Sequence, residues 1–217
     1  MTKLTTFINA TLLIVAFVSS CRQSSKPIDN GSYIIDNSVK SKVDKKIKSH
    51  NGINTSSMDF KLVQNDSLVI DTYAEGKSID ECMTFTELSG DTINITGFAG
   101  MFAGFGYQIA LFRDTCMVRH FAKSDAEIYA LHKNDSLNFG VAVPCKTYKL
   151  TLSERPTFKQ GEVLEGIIEL TSEDYYEVAN GDSKKCNVRL TGYFRTDPLE
   201  STADQYKKIL QKYKHAE

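Results

Sequence analysis

Tyr148-Lys149-Leu150-Thr151-Leu152, "YKLTL", puts Tyr148, Leu150 and Leu152 on one side of the chain and Lys149 and Thr151 on the other. A period of two marks a strand with one dry face and one wet face, the habit of antiparallel sheets. The same pattern extends in both directions. Upstream, Phe60-Lys61-Leu62-Val63 and Ser67-Leu68-Val69-Ile70-Asp71 flank the turn residues Gln64-Asn65-Asp66. Further runs occupy 84–86, 92–96, 107–112, 116–121, 127–131 and 136–143, and downstream 164–171 and 187–194. About ten short strands punctuated by Gly, Asn, Asp and Pro predict an antiparallel sandwich or barrel. Helical stretches between them are scarce, which argues against a parallel α/β sheet. The expectation is a mainly β fold, an antiparallel β-sandwich of immunoglobulin-like style. A C-terminal helix over about 200–215 would close it, opened by Ser201-Thr202-Ala203-Asp204 as a cap and striped by Tyr206, Ile209, Leu210 and Tyr213.

The N-terminus has a different character. Leu12 to Cys21 reads "LLIVAFVSSC", and Lys3 stands in front of it. The apolar run over 7–18 falls short of the roughly 20 residues that cross a bilayer as a helix. It suits the apolar region of a secretory signal, followed by small residues and a cut. Val18-Ser19-Ser20-Cys21 resembles the lipobox of bacterial lipoproteins. The resemblance covers the first 21 residues only and implies a diacylglycerol on the Cys21 thiol, with 1–20 removed as a signal peptide. The alternative is an ordinary signal with a cysteine near the cut. By the same resemblance, Arg22 in place of an aspartate implies export to the outer membrane. The lack of an acidic cluster after Cys21 implies a periplasm-facing anchor, with the cell surface as the other location.

After the cut, 197 of the 217 residues remain, enough for one domain with a tail. The near balance of charge, formally -1 for the whole chain, predicts no nucleic-acid partner. Residues 21–57 read as the lipidated cysteine and its tether, and 58–217 as the sandwich with its helix. Within the tether, Val39, Val43 and Ile47 make one narrow helical stripe among Lys40, Lys42, Lys45, Lys46 and Lys48. Such a helix lies either on anionic lipid or free in solvent.

Cys82, Cys116, Cys145 and Cys186 are the remaining cysteines. In an exported chain they permit one or more disulfides, while buried free thiols are the other reading. With no close CxxC pair, no metal site is expected. Asn65-Asp66-Ser67-Leu68 recurs as Asn134-Asp135-Ser136-Leu137, and Gly90-Asp91-Thr92-Ile93 is a relative. Turn chemistry explains all three. They also resemble the O-glycosylation motif of exported Bacteroidetes proteins, which would place glycans on Ser67, Thr92 and Ser136.

No cofactor and no catalytic residue are expected. The glycine-rich 97–106 stretch lacks the lysine and following helix of a phosphate loop. Its Phe98, Met101, Phe102 and Phe105 either pack beneath a tight bend or form an apolar binding loop. His120 and His132 are the histidines of the body, and no HExxH, GxSxG or SxxK accompanies them. Cys116 and His120 share a strand face about 13 Å apart, beyond mutual reach. Glu165 and Glu169 fit the solvent face of a strand better than a calcium loop. The functional expectation is a membrane-anchored envelope module that binds an envelope protein or glycan, or serves a structural role. An envelope hydrolase with a dispersed site is the alternative.

Overall fold

The computed structural model describes residues 31–47, 56–100 and 103–200. The expected C-terminal helix, the signal peptide and Cys21 lie outside the described residues. Two very short strands come first, β1 (Gly31–Ser32) and β2 (Ile34–Ile35), then a nine-residue helix α1 (Ser38–Lys46). β3 (Ser56–Gln64) and β4 (Ser67–Asp71) form a hairpin, followed by the single turn α2 (Thr72–Glu75). Next come β5 (Ile79–Ser89), β6 (Thr92–Gly100), β7 (Gly104–Phe112) and β8 (Thr115–Lys123). After β9 (Tyr129–Ala130), the remaining strands are β10 (Gly140–Leu152), β11 (Glu165–Ser172), β12 (Tyr175–Ala179) and β13 (Asp182–Arg195).

The fold is mainly β and antiparallel, as expected, but the two-sheet immunoglobulin-style sandwich is not what the pairing gives. One continuous sheet runs β3-β5-β6-β7-β8-β10-β11-β13 in chain order. β13 then pairs back onto β3 from Cys186↔Gln64 to Phe194↔Ser56, so the ring closes as an up-and-down barrel. Closure comes from β13 using both of its edges over the same residues, 189–194. Its 14 residues reach both β11 on one edge and β3 on the other. Alternation in sequence shows that a sheet has one dry face; it does not show whether the sheet stacks on a second or bends onto itself.

Eight strands leave an interior narrow enough for side chains to fill. Met58, Ile93, Ile95, Ile109, Leu111, Val118, Val143, Leu150, Ile168, Val188 and Leu190 do so, each almost wholly shielded. Tyr107 lies across the middle. A Cβ on Gly97 would sit 2.1 Å from its Cζ, and one on Gly192 2.4 Å from its Cε1, so those two strands carry glycine where the ring passes. The Tyr107 hydroxyl is 3.3 Å from Ser56 Oγ, which gives its buried polar end a partner. The outer wall carries Lys61, Glu87, Arg119, Lys149, Glu169 and Arg189, none of them fully buried. That inside-out pattern is the reverse of a lipid-facing barrel.

The seam between β8 and β10 is only half paired, from Gly140↔Lys123 to Pro144↔Arg119. Below it the N-terminal segment fills the gap: β1 pairs with Thr115 and Cys116 of β8, and β2 runs parallel to Thr151 and Leu152 of β10. The Tyr148 hydroxyl accepts from Gly31 N at 2.7 Å and donates to the Cys116 carbonyl at 3.0 Å, bridging the opening. Residues read from sequence as tether are therefore built into the wall from Gly31 onward. The turn residues Asn65 (φ 48°) and Asp66 (φ 62°) are both left-handed, the conformation a two-residue β-hairpin requires.

None of the four cysteines sits opposite another in any register, and all four are free thiols. Of the two readings left open by the sequence, this arrangement has the four thiols unbridged, with no two of them paired across neighbouring strands. Burial pushes the Cys116 and Cys186 thiols up to about 11 and the Cys145 thiol to about 12. Thiolate, the reactive form, is then scarce at neutral pH. Iodoacetamide at pH 7.5 should leave these cysteines unmodified in the folded protein and alkylate all four in guanidinium. A disulfide-linked peptide in the mass spectrum would contradict the arrangement.

Candidate functional site

The lysine-bearing helix supplies the concave feature of the outer wall. Its stripe, Val39, Val43 and Ile47, is 8% exposed or less and packs on Ile167 of β11. The apolar side that could have faced lipid is thus spent on the barrel. Two polar clamps fix the helix further. Arg195 donates from Nε to Glu165 Oε1 at 2.6 Å and pairs through Nη2 with Asp44. Lys46 Nζ donates to Ser78 Oγ at 2.9 Å and lies 3.3 Å from Asp59 Oδ2, with its ammonium 5.2 Å from the Tyr193 ring centre. Glu165, expected on a solvent face, does point outward but is buried beneath this clamp.

Register lays out the floor of the groove. Lys149, Glu169 and Thr191 sit side by side across β10, β11 and β13. Next to them run Thr151, Ile167 and Tyr193. A polar row thus lies against a row with an aliphatic and an aromatic side chain, and Lys42 and Lys45 of α1 form the opposite rim. The larger of the two adjoining depressions measures about 460 Å³ and is open to solvent, and the other about 120 Å³. The smaller is bounded by Ile34 and Asp36 of the stitched segment. Hydrogen bonds from Ser38 hold the Asp36 carboxyl below the usual carboxylate range, helped by the charges of Lys42 and Lys149.

The residues singled out by sequence are scattered. Phe98 and Phe105 are in strands and half-buried. Phe105 stacks on Phe60 at 4.0 Å, and Phe98 lies 5.8 Å from Phe121 on the outside. Gly104 makes room for Phe98, since a Cβ there would meet its ring at 2.8 Å. Packing accounts for both rings, while Met101 and Phe102 lie outside the described residues. Ser67 is exposed at the start of β4 and Thr92 opens β6 at the opposite end of the barrel. Ser136 is exposed in the connection before β10, where Asp135 caps the His132 N–H at 2.9 Å.

His120 points into the barrel and is fully shielded. Its Nδ1 is 2.9 Å from the Gly106 carbonyl, an acceptor, so Nδ1 carries the proton and donates. Nε2 is buried without a partner, the Tyr175 ring lies 5.7 Å away, and burial pushes the imidazole down to about 4. It stays neutral and closed to substrate at physiological pH. Among the described residues, no three His, Cys, Asp or Glu side chains stand close enough to hold a metal ion. Comparison with protein-family models, with curated proteins and with solved structures finds no match to this chain.

The groove residues Tyr193, Thr191, Ile167 and Lys149 were not singled out from the sequence as a group. Each is merely the outward member of an alternating strand. Only the barrel register gathers them beneath α1.

Proposed function

We propose that this chain is a lipid-anchored protein of the bacterial envelope, held at the outer membrane and facing the periplasm. It acts as a binding module through the groove between α1 and the outer wall. The observation that carries the binding part is the filled interior beside a built groove: an eight-stranded barrel plugged by Tyr107 and its neighbours offers a ligand its outside. The hydrolase alternative lacks support at the histidines, because His120 is enclosed and His132 stands exposed beside Asp135 alone.

The lipobox resemblance at Cys21 supports the anchor, and the wall-bound Gly31 supports its reach. Nine residues separate the two positions, an extended span of at most about 35 Å. Changing Cys21 to Ser should move the protein from the membrane to the soluble fraction of lysed cells. Continued sedimentation with membranes in buffer of high salt would remove the lipid anchor from the proposal.

A further inference from the structure

We infer that the groove takes an acidic saccharide, one whose sugar rings carry carboxylates; this rests on reading the chain as an envelope binding module. Three features select that class. Lys42, Lys45 and Lys149 make no ion pair within 4 Å among the described residues, unlike Lys46; Lys42 and Lys149 act on Asp36 only at longer range, so all three ammonium groups can still take a ligand carboxylate. Beside them the Glu169 carboxylate offers oxygen acceptors, which suit hydroxyl groups and oppose a purely anionic ligand, while the Thr191 hydroxyl is bonded to Tyr73 Oη at 2.8 Å. Beneath them lie the half-buried Tyr193, with the Lys46 ammonium 5.2 Å from its ring centre, and the edge of Ile167 that α1 leaves uncovered, where the C–H face of a sugar ring can rest. A ligand with hydroxyls, an apolar face and a negative charge uses all three.

A membrane surface fits less well. Lipid headgroups form a flat sheet, whereas Ile167 is recessed beneath α1. Asp36 and Glu169 line the groove beside the lysines, so an array of phosphates with few hydroxyl donors would meet like charge there with nothing to donate to it. The apolar stripe that would insert among lipids is turned onto the barrel.

Calorimetric titration of the detergent-solubilised full chain with trigalacturonate tests the inference, with neutral maltotriose as comparison. At low salt, trigalacturonate should bind at least about tenfold more tightly than maltotriose, and added salt should weaken it. Lys42→Gln with Lys45→Gln, and separately Tyr193→Ala, should each weaken it by about tenfold or more. Both lysines are exposed, so an unchanged melting curve for the double variant shows that folding is not the cause. Equal affinity for both sugars, or binding that ignores the lysine variant, overturns the inference. So does no sugar binding combined with lysine-dependent flotation of the Cys21→Ser chain on phosphatidylethanolamine–phosphatidylglycerol vesicles, which assigns the groove to lipid. Fractionation of Cys21→Ser scores the anchor separately, so loss of the saccharide leaves that reading standing.

Discussion

Gly97→Ala should cost this barrel about 3 kcal/mol of unfolding free energy, the upper part of the range for overpacking. The added carbon would lie 2.1 Å from Tyr107 Cζ and 2.5 Å from its hydroxyl, inside any permitted contact. The ring has little room to shift, because the Gly192 backbone and the Phe194 ring also pack against it and Ser56 lies 3.3 Å from its hydroxyl. Tyr107→Ala alone should cost about 4 kcal/mol through the cavity it leaves. Combining the two should not add: relief of the clash predicts a coupling of about 2 kcal/mol. Urea titration followed by far-ultraviolet circular dichroism measures all four corners, a convenient probe in a chain without tryptophan. A cost below about 0.5 kcal/mol for Gly97→Ala would mean that Tyr107 does not occupy the middle of the barrel.

Acid should weaken the protein through His120. Its folded pKa of about 4 lies below the 6.5 of an exposed imidazole, so the unfolded chain takes up the proton first. The stability this neutral ring supports is intact above pH 6.5 and is lost as the pH falls to about 4. Burial is the main cause of the shift. The groups around the ring, the Gly106 carbonyl from β7, the Tyr175 ring from β12 and Cys145 from β10, offer no carboxylate to receive a new charge. A displacement of this size corresponds to about 3 kcal/mol across the window. His120→Asn keeps a donor for the Gly106 carbonyl and cannot titrate. Its stability should fall less steeply between pH 6.5 and 4 than that of the parent, read from denaturation midpoints at each pH. Parallel slopes for the two proteins would show that the imidazole is not held neutral.

Much of the wall was legible in the sequence because each strand declares itself locally. The alternation at 148–152, the Asn65-Asp66 turn and the cysteine parity at 116 and 186 all record side chains choosing between water and core. Closure was not legible. It depends on β13 meeting β3 across more than a hundred residues, and no local pattern distinguishes that from a sandwich edge. Residues 97–106 looked like a loop because glycine weakens a strand pattern. The glycines instead make room for Tyr107 inside and Phe98 outside, a reason that exists only when the partner strands are in place. The helix stripe at Val39, Val43 and Ile47 was visible, but its partner Ile167 could not be named from sequence. The groove inherits that limit, since its floor is assembled by register alone.

The stitched seam has a mechanical side. Tension entering the chain ahead of Gly31 would arrive first at two ladders of two residues each and at the hydroxyls of Tyr148 and Tyr33. Force applied there should open the short pairings of Gly31–Ile35 before it loads any long strand. A tugged barrel gives way at its own zip and keeps the rest of its wall.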